Sequence, residues 1–164
     1  MKTLFLLRHA KAEKAGPSML DFKRPLSERG IQDARLVSEA LKNMKLIPEK
    51  IISSDALRAC TTAYLFAETF NIKKEEVELS GSLYDCAERD YFKVIQGIDD
   101  SFSSCLIAGH NDTITGVAEK LLRKVIDSMK TCGIIVITST AKTWNQFDSS
   151  RCALQLSLYP DLLS

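Results

Sequence analysis

Two histidines and two arginines stand where apolar runs of this chain end, and those residue types together can grip a phosphoryl group and turn it over. Leu6-Leu7-Arg8-His9 closes one run, and Ile107-Ala108-Gly109-His110 closes another. A third run, Ile52-Ser53-Ser54-Asp55, is followed by Arg58 at the start of the next helical segment. The chain holds no other histidine. An arginine abutting a buried strand, as Arg8 does, is seldom left without an anionic partner. Two guanidiniums and two imidazoles on one rim make a cationic pocket, and its obvious guest is a tetrahedral phosphate held by arginine forks. Taken singly, each residue has a plainer alternative: a histidine that only ends a strand, an Arg8 paired with a surface carboxylate, an Arg58 solvated on its helix. The joint placement favours a shared anion site.

The segments that must position these residues alternate between strand-length apolar runs and longer stretches of helical period. Strands are predicted over 3–8, 50–54, 77–79, 104–109 and 133–138, with further edge strands at 144–147 and 152–158. Helices are predicted over 28–43, 56–70, 88–98 and 112–126, with Asn111 as N-cap of the last. The first helix should bury Ile31, Ala34, Val37, Ala40, Leu41 and Met44. The second should bury Leu57, Cys60, Tyr64 and Ala67, and the fourth a stripe from Ile114 to Val125. This alternation implies an α/β fold, a three-layer sandwich with a mostly parallel central sheet between helices. In such sheets ligands bind beyond the strand C-termini, where the polar stretch 11–25 also lies.

The chain of 164 residues has the size of one domain, and a single domain over 1–164 is expected. It carries 22 Lys plus Arg against 21 Asp plus Glu, without the basic excess of a nucleic-acid binder. No stretch approaches the ~18 apolar residues of a membrane span, and Leu4 to Leu7 is too short for a signal-peptide core. The five cysteines are scattered and odd in number, which points to a reducing, cytoplasmic setting rather than a disulfide framework. Neither a P-loop nor a dinucleotide fingerprint occurs, and neither does a G-x-S-x-G elbow. No cysteine is followed six positions later by arginine, and no D-x-D pair exists. Two distant histidines make a histidine-rich metal site hard to assemble.

Four ordered motifs resemble the histidine phosphatase superfamily, the phosphoglycerate-mutase-like group. Leu7-Arg8-His9-Ala10 is similar to its Arg-His signature, with Ala10 where glycine is usual. Ser53-Ser54-Asp55-Ala56-Leu57-Arg58-Ala59 and Thr62-Ala63 resemble its helix start, and Gly109-His110-Asn111 its second histidine motif. Asp21 to Gly30 and the stretch from Trp144 to Leu162 are similar to the small bacterial branch typified by SixA, the phosphohistidine phosphatase. The resemblance implies a metal-independent phosphatase without cofactor, in which His9 is the nucleophile and forms a phosphohistidine. Arg8 and Arg58 would bind phosphoryl oxygens, His110 would complete the cradle, and the arginines would lower the pKa of His9.

The general acid is less well marked. Asp85 stands where larger relatives carry a carboxylate, and Glu88 is second choice. Arg24 either reaches the substrate or pairs with Asp21 to hold its loop, and the second is favoured. Only 52 positions separate Arg58 from His110, which leaves little room for a large lid. An open pocket suits a phosphorylated protein side chain, and an imidazole leaving group of pKa near ~6.5 relaxes the need for a strong acid. The alternatives are a small-molecule phosphomonoesterase and a non-catalytic phosphate- or phosphoprotein-binding module.

Overall fold

The computed structural model describes residues 1–164 and contains ten main elements. They are β1 (Lys2–Arg8), α1 (Glu28–Asn43), β2 (Lys50–Ser54), α2 (Leu57–Thr69), β3 (Glu78–Ser80), α3 (Glu88–Gln96), β4 (Ser104–Gly109), α4 (Thr113–Leu122), β5 (Ile134–Ser139) and β6 (Cys152–Leu158). One six-stranded sheet runs in the order β3-β2-β4-β1-β5-β6. The pairs β3–β2, β2–β4 and β4–β1 are parallel. β5 and β6 add antiparallel pairs at one edge.

Strand residues alternate between two cores. Phe5 and Leu7 of β1 pack with Ile51, Leu106 and the α1 and α2 side chains Val37, Leu41 and Phe66. Leu4 and Leu6 pack on the opposite face with Ile107, Tyr91 of α3 and Val117 of α4. Covered on both faces, the central strands read as unbroken apolar runs. No helix is long and apolar enough to cross a membrane.

Several expectations need correction. Residues 144–147 form no strand: Trp144–Gln146 is a turn of 3₁₀ helix, with Trp144 buried and its Nε1–H donating to Phe102 O at 2.9 Å. The indole must be buried with its N–H paired, and a turn does both. α4 stops at Leu122 because Arg123 takes a left-handed conformation, φ 52°, so Val125 lies outside the helix and is 92% exposed. The N-cap of α4 is Asp112, not Asn111. Asn111 instead accepts from Thr115 Oγ1 and donates to Ser128 Oγ and Met129 O, tying α4 to the following loop. On α1 the inward face runs through Gly30, Asp33, Ala34, Val37, Ser38 and Leu41, leaving Ile31 and Met44 exposed. Leu57 is also exposed. The stripe is turned toward small residues because the helix approaches the chain closely. A Cβ on Gly30 would lie 2.1 Å from Lys11 O.

Candidate active site

Parallel pairing brings the two histidines together. Arg8 of β1 is in register with Gly109 of β4, and the His9 N–H donates to Gly109 O at 3.0 Å. His9 and His110 therefore leave adjacent strand ends side by side, with ring centres 5.2 Å apart. Ser53 of β2 pairs with Ala108 of β4, so Ser54 reaches the same rim. Arg58 follows in the first turn of α2. Four residues spread over a hundred positions become neighbours through sheet register.

Each ring is held by an identifiable partner. His9 Nδ1 lies 2.7 Å from Ala10 O. A carbonyl only accepts, so Nδ1 carries the proton and Nε2 keeps its lone pair. Arg58 Nε donates to that lone pair at 3.3 Å. Thr62 Oγ1 accepts from Ala10 N–H at 3.0 Å and donates to Arg58 O at 2.6 Å, bracing the backbone around the nucleophile candidate. Arg8 Nη1 donates to Met129 O at 2.6 Å, while its Nε is buried without a partner. His110 Nε2 lies 2.8 Å from Ser54 Oγ, and its backbone N–H donates to Tyr91 Oη at 3.1 Å. Gly109 permits that contact: a Cβ there would sit 1.8 Å from Tyr91 Oη.

Both imidazoles are neutral at physiological pH. Burial pulls His9 down to about 3, and the positive fields of Arg58 and Arg8 act the same way. Burial also pulls His110 down to about 4, helped by Arg58. The direction for His9 agrees with the sequence reading, but the leading cause is desolvation rather than the arginines. Burial likewise lowers Arg8 from its usual value. No three His, Cys, Asp or Glu side chains cluster as metal ligands.

The remaining sequence candidates make no direct hydrogen bond to either histidine. Arg24 pairs with Asp21 Oδ1 at 2.9 Å and donates to Glu13 O at 3.0 Å, so it holds the loop. Asp85 is exposed, has φ 47° and makes no hydrogen bond or ion pair. Glu88 opens α3 and is ion-paired to Lys120 of α4. Asp21, weighed from sequence only as a partner of Arg24, is central. Its carbonyl oxygen accepts from Arg58 Nη1 at 2.8 Å, and its Oδ2 accepts from Arg58 Nη2 at 3.0 Å and from Tyr84 Oη at 2.8 Å. The Tyr84 hydroxyl, then Arg24 and Arg58, hold its carboxyl down to about 2. The Tyr84 ring stands edge-on to His110, with centres 5.5 Å apart. Nothing local in the sequence signals these contacts, because the 3₁₀ turn Asp21–Lys23 must fold back onto α2 to make them.

Comparison with known proteins gives the family and the fold. Residues 4–88 match the model of the histidine phosphatase superfamily, branch 1. An uncharacterized chloroplastic protein of Arabidopsis thaliana is 29% identical over 153 residues, which cover 88% of this chain and 70% of the relative. A protein assigned as the phosphohistidine phosphatase SixA of Agrobacterium tumefaciens is 25% identical, with a TM-score of 0.82 over 97% of this chain and 98% of that one. The protein histidine phosphatase SixA complexed with tungstate superposes with a TM-score of 0.83 at 22% identity, covering 99% of each chain. A mycobacterial glucosyl-3-phosphoglycerate phosphatase with bound inorganic phosphate shares the fold at a TM-score of 0.67 and 16% identity, over 95% and 96% of the two chains. The chain belongs to the histidine phosphatase superfamily, in its small SixA-like branch, and is a phosphatase of the kind that works through a phosphohistidine intermediate.

Proposed function

We propose that His9 is the nucleophile of a phosphatase whose substrate is a protein phosphohistidine. The observation that carries this is the tautomer of His9. Its Nδ1–H is fixed on Ala10 O, so Nε2 offers a lone pair beside Arg58. Nε2 attacks phosphorus, the bond to the leaving group breaks, and the phosphoryl group is carried on His9. Arg8 and Arg58 stabilise the charge spread over the phosphoryl oxygens, and His110 donates from the adjacent strand. Water then attacks the phosphohistidine, releasing phosphate and restoring neutral His9. The depressed pKa of His9 keeps the attacking nitrogen unprotonated across the physiological range, and Arg58 Nε must pass from that nitrogen to a phosphoryl oxygen as the substrate enters.

The leaving group follows from the acid the site lacks. Asp85 is exposed with no hydrogen bond or ion pair to orient it, Glu88 is paired with Lys120, and Asp21 is held ionised by its three partners. An alkoxide would leave poorly from such a site, whereas a phosphohistidine whose other ring nitrogen carries a proton releases a neutral imidazole, the conjugate base of an acid of pKa near ~6.5, and needs little help. Five unpaired cysteines, three of them buried, fit a reducing cytoplasmic setting, which this reading adopts.

The test compares hydrolysis of a phosphorylated histidine-bearing domain, an aryl phosphate and a sugar phosphate, alongside acid-labile labelling of the enzyme. The expected result is preference for the phosphohistidine domain and a labelled adduct that disappears in His9→Ala. Equal or better turnover of the sugar phosphate would favour a small-molecule phosphomonoesterase. Failure to label any histidine would overturn the nucleophile assignment.

A further inference from the structure

Ser54 ends β2 fully buried. Its hydroxyl accepts the Ala56 N–H at 3.2 Å and lies 2.8 Å from His110 Nε2. A serine hydroxyl has one proton to give, and this ring nitrogen is the one acceptor that Ser54 Oγ meets. A buried hydroxyl that leaves its proton unpaired is penalised, so the proton goes to Nε2. A neutral ring that accepts at Nε2 must carry its own proton on Nδ1. We propose that Ser54 is a positioning residue that sets the tautomer of His110, so that its Nδ1–H serves as a hydrogen-bond donor to the phosphoryl group.

The orphaned atoms of the site support this. His110 Nδ1 is buried and has no hydrogen-bond partner, and Arg8 Nε is in the same condition. With the proton on Nδ1, both are N–H donors, and both belong to residues that adjoin His9 across the rim or along the chain. An oxyanion satisfies such donors. The opposite tautomer would set a nitrogen lone pair against the phosphoryl oxygens and repel them. The two histidines thus carry their protons on the same atom for different ends. In His9 the Nδ1–H is spent on Ala10 O so that Nε2 can attack. In His110 Nε2 is occupied by Ser54 so that Nδ1–H can donate. Burial and the Arg58 field keep the His110 ring neutral, which makes the choice of tautomer matter.

This inference rests on the reading of the rim as a phosphoryl site, and its experiment separates the two. Long-range ¹H–¹⁵N correlation spectra of the labelled full chain at pH 7 read the protonation of each ring nitrogen independently of turnover. Wild type and Ser54→Thr should show His110 protonated at Nδ1 and bare at Nε2, and Ser54→Ala should move toward Nε2–H. With an aryl phosphate, Ser54→Ala should lower kcat about tenfold to hundredfold, and Ser54→Thr should recover most of it. Ser54→Ala added to His110→Ala should cost nothing further, because the hydroxyl acts through the ring. Nε2–H in the wild type would overturn the proposal. So would an unchanged tautomer in Ser54→Ala, or a full additional loss on top of His110→Ala. The wild-type and Ser54→Thr spectra decide the matter even if Ser54→Ala fails to fold. A wild type that hydrolyses no phosphate while His110 carries Nδ1–H would refute the functional reading and leave the tautomer standing.

Discussion

Replacing His9 with glutamine should make the chain more tolerant of acid while abolishing its turnover. His9 titrates at about 3 and His110 at about 4 in the folded protein, chiefly because both are buried. In the unfolded chain each returns to ~6.5. Between those values the unfolded chain binds protons that the folded chain refuses. Stability is therefore full above pH ~6.5 and falls as the pH drops toward the folded pKa values. A pH of 4.5 is a useful place to look, since it is above the ordinary range of aspartate and far above Asp21, held to about 2. Two pH units below ~6.5, at about 1.4 kcal/mol per unit, give a loss of roughly 2.5 kcal/mol for each histidine and about 5 kcal/mol for the pair. That is a large part of the ~5–15 kcal/mol that holds a domain together. Urea denaturation at pH 7 and pH 4.5 measures it, with the unfolding slope checked for constancy. Wild type should lose roughly 5 kcal/mol, and His9→Gln about half of that. The same depression places the acid limb of wild-type kcat/KM below pH 5. A wild-type stability that is flat from pH 7 to 4.5, or equal losses in wild type and His9→Gln, would refute the reasoning.

Arg58→Lys should cut kcat/KM at least a hundredfold with little change in folding, because a single ammonium cannot reach His9 Nε2 and both Asp21 oxygens together. Single-turnover kinetics should place the loss in phosphoryl transfer. Asp21→Asn should lower kcat/KM by about tenfold through a loosened Arg58 and Tyr84. It should change urea stability by no more than about 1 kcal/mol, since the carboxylate is half exposed. Asp85→Asn and Glu88→Gln should each leave hydrolysis of an aryl phosphate within about twofold of wild type, because Asp85 is exposed without a hydrogen bond to orient it and Glu88 is paired with Lys120. Gly109→Ala should destabilise by about 2 kcal/mol or more in denaturant titrations, since the added methyl must displace Tyr91 and with it the His110 backbone.

The histidine and arginine candidates were legible because each follows a strand end or opens a helix, and parallel strands deliver their C-terminal ends to one rim. Leu4 to Leu7 and Cys105 to Ala108 are apolar throughout, which marks strands covered on both faces. Periodicity misjudged the rotation of α1. There Gly30, Asp33 and Ser38 face inward, and Ser38 does so because its hydroxyl meets Thr69 Oγ1 at 2.8 Å. A polar residue paired across two helices cannot be told from a solvated one by its spacing. The over-long α4 has a similar origin. Val125 continues the apolar period, but the left-handed turn at Arg123 ends the helix before it.

The residues proposed to react, and the kind of ligand they are suited to, were already legible along the chain, because residue type sets charge, nucleophilicity and hydrogen-bonding capacity. The protonation pattern that makes those residues competent was decided only in three dimensions. Ala10 O, Ser54 Oγ and the Asp21 carboxylate each act on a ring or guanidinium from a position set by sheet register or by a loop folding back. Hydrogen bonds depend on distances of a few tenths of an ångström between atoms that sequence separates by as many as 121 positions, as for Arg8 and Met129, and only packing sets such distances.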